Sequence, residues 1–299
     1  MYQAIIVLSL FTLLSCSPKS VQENKIIKSS VVNGKEVQEK DLINASVVGV
    51  YNIRDNSICT GSLIAPNVVM TAAHCIPNNP QNLKIVFAIN IDEAMSIREE
   101  DVLHQYVLPA IEFKVGTSWD PTDETTEVDT GDIALIKFKG TIPLGYKPAT
   151  FLPDAADLKV GQVVTLAGYG VSIVDTQQID PRKYRNIEQA IEYGEVFCSG
   201  THKGNYGTCY RVEMSGDGIL RTASAPISVL YDTEVRLNEK KAGTCNGDSG
   251  GPAYIEKDGI FYLFGVTSRG SELCNEAGIY TNALFYKGWI EETVKAFNK

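Results

Sequence analysis

The sequence predicts an all-β protein, either a barrel or a sandwich, on three observations. Short apolar segments rich in Val, Ile and Thr alternate with polar positions. Turn residues separate those segments at regular intervals. The composition, 44% hydrophobic and 21% charged over 299 residues, is that of a globular chain able to bury one or two cores.

Taken from the N-terminus, Ala4 to Leu14 is almost wholly apolar and too short to span a bilayer as a mature helix, the pattern of a targeting segment. It ends in Leu13-Leu14-Ser15-Cys16, which resembles a bacterial lipobox in which Cys16 is diacylated after cleavage; ordinary signal cleavage near Ser17 is the alternative. Either route takes the protein out of the cytoplasm. Residues 17–30 are polar and read as a short propeptide ahead of Val31-Val32-Asn33-Gly34. Strand patterns follow at Ala45–Val50, Ser62–Ile64, Lys84–Ile89, Ile133–Phe138, Gln162–Ala167, Ala225–Leu230, Ile260–Val266 and Gly278–Thr281. Phe285 to Phe297 has helical spacing.

Two longer connections interrupt the strands. Ser118 to Thr130 carries Asp120, Asp123, Glu124, Glu127 and Asp129. It lacks the alternating oxygen ligands of an EF-hand, so it reads as a solvated loop rather than a calcium site. The second runs about fifty residues from Gly170 to Leu220, holds Cys198 and Cys209, and reads as a surface excursion near a cleft.

The net charge of −9 makes nucleic acid an unsuitable partner. Seven cysteines are present; setting Cys16 aside leaves an even six, as an oxidising compartment favours. There is no CxxC pair and no histidine cluster, so neither a metal nor another cofactor is called for.

Three motifs carry the chemistry. Cys245-Asn246-Gly247-Asp248-Ser249-Gly250-Gly251-Pro252 places a serine among glycines. A serine hydroxyl becomes a nucleophile only when a base takes its proton and N–H groups receive the oxyanion. Thr71-Ala72-Ala73-His74-Cys75 offers the base, and Gly131-Asp132-Ile133-Ala134-Leu135-Ile136 an acid to orient it. The order His, Asp, Ser resembles that of the trypsin/chymotrypsin-type serine endopeptidases, from about Val31 to the C-terminus.

That resemblance implies two six-stranded antiparallel β-barrels packed side by side with a C-terminal helix: a signal peptide over 1–16, a propeptide over 17–30, and a peptidase domain over 31–299, with barrels at about 31–150 and 151–284 and the helix at 285–297. It implies His74, Asp132 and Ser249 as the catalytic residues, and the N–H groups of Gly247 and Ser249 as the oxyanion hole. It implies disulfides Cys59–Cys75 and Cys245–Cys274, which leaves Cys198 with Cys209. It also implies a latch in which Asp248 pairs with the α-amine of Val31 once the bond before it is cut, by another protease because Ser30 is not basic. Protein or peptide substrates, action as a monomer, and membrane contact only through Cys16 before activation complete the expectation.

For specificity, Gly243 stands where trypsin-like members place an aspartate, and Gly270 and Gly278 match small wall positions. A large apolar residue before the scissile bond is therefore expected. Ser268-Arg269-Gly270 replaces the family's Ser-Trp-Gly, and the arginine would favour acidic or polar substrate residues. His104 and His202 read as structural or exposed, and Asp129 as a rival acid. Gly247 to Gly251 also fits the elbow of α/β-hydrolases, but no histidine follows residue 202, and a subtilisin order conflicts with the short strands. The alternative of another class is a non-catalytic homologue acting as a binding module.

Overall fold

The structure, a computed structural model, describes residues 25–27, 34–97, 105–120, 130–200, 204 and 206–299. Cys16, Ser30, Val31, His104, His202 and Asp129 lie outside the described residues, as does most of the acidic loop.

The chain begins with β1 (Lys25–Ile27) and β2 (Lys35–Glu36). A closed antiparallel barrel follows, built from β3 (Val47–Asn52), β4 (Ser57–Ala65), β5 (Val68–Thr71), β6 (Leu83–Val86), β7 (Val107–Val115) and β8 (Ala134–Phe138), with a short helix α1 (Ile91–Ser96) between β6 and β7. After β9 (Thr150–Phe151), a second ring forms from β10 (Val163–Gly168), β14 (Arg221–Leu230), β15 (Glu234–Asn238), β16 (Pro252–Lys257), β17 (Ile260–Gly270) and β18 (Ala277–Asn282). Pairing of β10 with both β14 and β16 closes it. The architecture is thus two six-stranded barrels, and α3 (Lys287–Phe297) ends the chain.

Strand alternation explains why both barrels bury two faces. Val69, Ile136, Phe138, Val48 and Val50 point into the first barrel. Their neighbours Val68, Met70, Leu135 and Val47 point the other way, into a core shared with Tyr169, Tyr254 and Val266 of the second barrel. Each such side chain contributes roughly 1.5–3 kcal/mol on burial. The barrels are therefore welded by a seam that is itself a hydrophobic core. α3 presents Ile290, Thr293 and Phe297 on one face, and Ile290 and Phe297 join that core. Lys137 donates to the carbonyl of Phe297, meeting the negative end of the helix.

The long connection after β10 forms a sheet of its own. β11 (Ile173–Ile179), β12 (Val196–Cys198) and β13 (Cys209–Ser215) pair in the order β1-β11-β13-β12, with α2 (Ile187–Glu192) leading to β12. The expected surface excursion is thus a folded layer. Val174 and Val212 pack it on the Cys245–Cys274 disulfide, at the base of the Ser249 loop. β1 is its edge strand, with Lys25 opposite Thr176 and Ile27 opposite Val174. Among the described residues, no helix is long and apolar enough to cross a membrane.

Candidate active site

The register of the first barrel brings His74 and Asp132 together. β5 and β8 run antiparallel with Thr71 opposite Ala134, so the residues just after Thr71 and just before Ala134 share one end of the barrel. Buried Ala72 and Ala73 seat a short 3₁₀ turn, Ala73–Cys75, which leaves the His74 side chain 35% exposed. Asp132 is only 1% exposed. Its Oδ2 lies 2.8 Å from His74 Nδ1, and its Oδ1 accepts from the His74 backbone N–H at 3.1 Å.

The second barrel completes this grip. Ser268 on β17 donates its hydroxyl to Asp132 Oδ2 at 2.6 Å, and Thr281 on β18 donates to the Asp132 carbonyl at 2.8 Å. Burial alone would push the Asp132 carboxyl up. The hydrogen bonds and charge of His74 and the Ser268 hydroxyl outweigh it, and Asp132 stays below the usual carboxylate value.

Ser249 sits on the loop between β15 and β16, and Thr60 of β4 ties that loop to the first barrel. The Thr60 N–H donates to the Ser249 carbonyl at 2.8 Å, and its hydroxyl donates to the Gly247 carbonyl at 2.9 Å. The same hydroxyl accepts from the Tyr169 N–H at 3.1 Å. Cys59 and Cys75 are joined, and Cys75 Sγ lies 3.7 Å from the Ser249 carbonyl, so the disulfide stands between the histidine turn and the serine loop. Gly247 adopts φ +96°, a conformation that favours glycine. Among the described residues, the N–H groups of Gly247 and Ser249 have no internal acceptor. Cys59, His74 and Cys75 cluster, but the disulfide leaves no thiolate there for a metal.

Asp248 is fully buried and accepts from the N–H groups of Gly170, at 2.8 Å, and Cys245, at 2.9 Å. A Cβ on Gly168 would stand 2.1 Å from its Oδ1, and one on Gly170 2.5 Å from its Oδ2, which explains the Gly168-Tyr169-Gly170 sequence. Burial pushes the Asp248 carboxyl up to about 7 against those two hydrogen bonds.

Cys59–Cys75 and Cys245–Cys274 are formed as the resemblance implied, and the remaining pair, Cys198–Cys209, is formed as well. Such bonds belong to an oxidising compartment, so the protein is exported.

Two residues expected to shape specificity have partners inside the fold. The Arg269 guanidinium forks onto buried Glu234, with Nη1–Oε1 and Nη2–Oε2 both 2.9 Å. Glu234 Oε1 also accepts from the Thr130 hydroxyl at 3.1 Å. Gly243 and Gly278, in turn, do not face open space: the carboxyl of Glu239, just past the end of β15, lies between them. The sequence motifs did not flag Glu239, because it lies ten residues before Ser249 and outside every motif that resembles the family.

Twin barrels with a histidine–carboxylate pair and a serine loop stitched across their seam define the class of serine-type peptide hydrolases. Comparison with known proteins names the family. The family model described as Trypsin matches residues 31–290. The chain is 26% identical over 247 residues to CLIP domain-containing serine protease B4 of Anopheles gambiae, covering 79% of this chain and 62% of that protein. It is 27% identical over 243 residues to Kallikrein-8 of Rattus norvegicus, covering 79% and 77%. It is 22% identical over 247 residues to Hepatocyte growth factor activator serine proteases of Canis lupus familiaris, covering 79% of this chain but 33% of that one. The chain thus spans less than two thirds of the first and the last of these relatives. It belongs to the trypsin family of serine-type endopeptidases.

Proposed function

We propose that this chain hydrolyses peptide bonds in proteins through an acyl-enzyme on Ser249. The observation that carries the reading is the hydrogen bond between His74 Nδ1 and Asp132 Oδ2, 2.8 Å long, beside the Ser249 loop. With Nδ1–H given to Asp132, Nε2 is left as the basic nitrogen. His74 takes the Ser249 proton as Oγ attacks the scissile carbonyl, and then gives it to the leaving amine. Asp132 orients the imidazole and stabilises the imidazolium. The Gly247 and Ser249 N–H groups receive the oxyanion; one such donor is worth about 10²–10³ in rate. Water then releases the acyl group by the same proton path.

The protein is made as a precursor, activated when the bond before Val31 is cut and the new amine pairs with Asp248. What supports this is the cradle of Gly168 and Gly170 around a buried carboxyl. A buried carboxylate costs several kcal/mol until it is paired, so an arriving ammonium would fix the loop that bears the oxyanion donors. Leu13-Leu14-Ser15-Cys16 supports a lipid anchor on the bacterial pattern, which cleavage at Val31 would leave behind. The processed domain acts as a monomer. On Gly243 and Gly270, the pocket before the scissile bond would take a large apolar side chain.

The test is covalent labelling by a fluorophosphonate probe after processing at Val31 has been verified by N-terminal sequencing. Labelling is expected, and Ser249→Ala abolishes it. A processed protein that stays unlabelled is a binding module rather than an enzyme.

A further inference from the structure

The layer inserted after β10 leaves a cavity of about 1020 Å³ beside the serine loop. Its walls come from separate stretches of chain: α2, β12 and the turn between them, Asn246 of the serine loop, and Glu272 and Leu273 just before Cys274. Asn246 precedes Gly247, whose N–H is the proposed oxyanion donor, and lies three residues before Ser249, at most about 11 Å of chain. Its side-chain amide lies 3.3 Å from Met214 Sδ on β13, so the serine loop and the layer meet at the cavity wall. A substrate that extends a few residues beyond its reacting bond can reach this space.

The lining has two characters. Ile191, Tyr193, Phe197, Met214 and Leu273 give it apolar surface, and Ile191 and Tyr193 are 36% and 66% exposed. Covering such side chains with an apolar group is favourable by roughly 25 cal/mol per Å². Beside them stand Glu188, Glu192, Glu195 and Glu272, and among the described residues no Lys or Arg lines the cavity. The Tyr206 hydroxyl donates to Glu188 at 2.5 Å. Glu192, Glu195 and Glu272 are exposed and form no ion pair among the described residues. Three unmatched acids beside an apolar floor suit a ligand whose cations are spaced between apolar groups. β12 adds a backbone edge. It is the outer strand of its sheet, with no strand beyond it among the described residues. An extended peptide can pair along such an edge and alternate its side chains between two faces. The opposite edge of the same sheet already holds a strand of this chemistry from the chain itself: β1, Lys25-Ile26-Ile27, antiparallel to β11.

We propose that this cavity is a docking site for the protein substrate, taking an extended segment, away from the scissile bond, in which Lys or Arg alternates with apolar residues. This rests on the serine endopeptidase reading and adds a second point of attachment to it. The apolar side chains cover Phe197, Met214 and Leu273, and the cations meet Glu192, Glu195 and Glu272. Each exposed ion pair contributes little alone, so the acids select the segment and steer its arrival while apolar contact holds it. Contacts this far from the reacting bond are equal in the bound complex and the transition state, so they lower KM and leave kcat.

The experiment uses the full chain, processed so that Val31 is N-terminal, and a fluorogenic peptide picked from a library because the enzyme cuts it. The peptide carries a Lys-Leu-Lys-Leu-Lys tail, behind a short glycine spacer, on its N-terminal end in one version and its C-terminal end in another. Tails with Gln or Glu in place of Lys are the controls, and mass spectrometry verifies that only the reporter bond is cut. One of the two Lys tails is expected to lower KM roughly tenfold against its Gln control, with kcat held within about twofold, and the Glu tail to gain nothing. Glu192→Gln, Glu195→Gln and Glu272→Gln together should bring the Lys-to-Gln ratio back to about one, as should about 0.5 M NaCl. Equal KM for all tails at both ends overturns the proposal, as does a Lys advantage that survives the three substitutions. If the triple variant does not fold, the tails and the salt series on the wild type decide. A processed protein that neither labels with a fluorophosphonate nor cuts any peptide overturns the endopeptidase reading itself. Anisotropy of the fluorescein-labelled Lys tail then tests the cavity alone, and absence of binding removes it too.

Discussion

Ser268 shows how much a single hydroxyl does here. It donates to the same Asp132 oxygen that faces His74, at 2.6 Å, from the opposite barrel. Ser268→Ala leaves the buried carboxylate with one donor fewer, which weakens its hold on the imidazole. A 10- to 100-fold fall in kcat, about 1.4–2.8 kcal/mol, with KM little changed, is expected. Equal loss in KM would mean that Ser268 acts on binding instead. The motifs around His74, Asp132 and Ser249 were legible because each is a run of fixed neighbours. Ser268 was also visible, but as a pocket wall, since a hydrogen bond from β17 to a residue far back in the chain leaves no trace in local pattern. Glu239 was invisible for the same reason. Its meaning depends on two absent side chains, at Gly243 and Gly278, which the sequence alone presents as open space. The pairing of Arg269 was equally hidden, because its partner Glu234 is thirty-five positions away.

At the level of elements, the expected strands at 133–138, 162–167, 260–266 and 278–281 lie within or close to β8, β10, β17 and β18, because both their faces are apolar or alternate cleanly. β7 escaped notice: its exposed half, Glu112 to Val115, and Pro109 blur the pattern. The insertion sheet was read only as an excursion, since its edge pairing with β1 and its packing on Cys245–Cys274 are tertiary facts. Its own disulfide joins β12 to β13 across a short loop, worth about 3 kcal/mol of closure entropy. Replacing Cys198 and Cys209 by Ala should therefore loosen β12 and α2 first. Limited proteolysis within residues 199–208 should quicken while turnover of a short peptide substrate is kept. Loss of peptide turnover together with that nicking would show that the layer supports the serine loop rather than merely resting on it.

For the molecule as a whole, buried carboxyls set the pH response. Asp248 ionises in the fold only at about 7, above its ordinary 3.8, so the stability it lends is complete below that ordinary value and is lost as pH rises through about 7. Glu239 acts in the same direction. Asp132 acts oppositely: held low, it adds stability above its ordinary value and loses it as pH falls through its lowered one. A precursor with its Ser30–Val31 bond blocked should consequently weaken by roughly 3 kcal/mol between pH 5 and pH 7.5, read from urea unfolding. The processed protein, with an amine on Asp248, should lack most of that decline; parallel curves for the two forms would remove Asp248 from the latch.

Thr60 carries a further implication. It belongs to the first barrel, yet its amide and hydroxyl hold the carbonyls of Ser249 and Gly247, and its hydroxyl receives Tyr169. The nucleophile is encoded in the C-terminal half of the polypeptide but is shaped by a threonine translated long before it. During synthesis, then, the early half emerges carrying its histidine and aspartate but neither the serine nor the Ser268 and Thr281 hydroxyls that hold Asp132, and a ribosome must read through nearly the whole message before any competent centre can assemble.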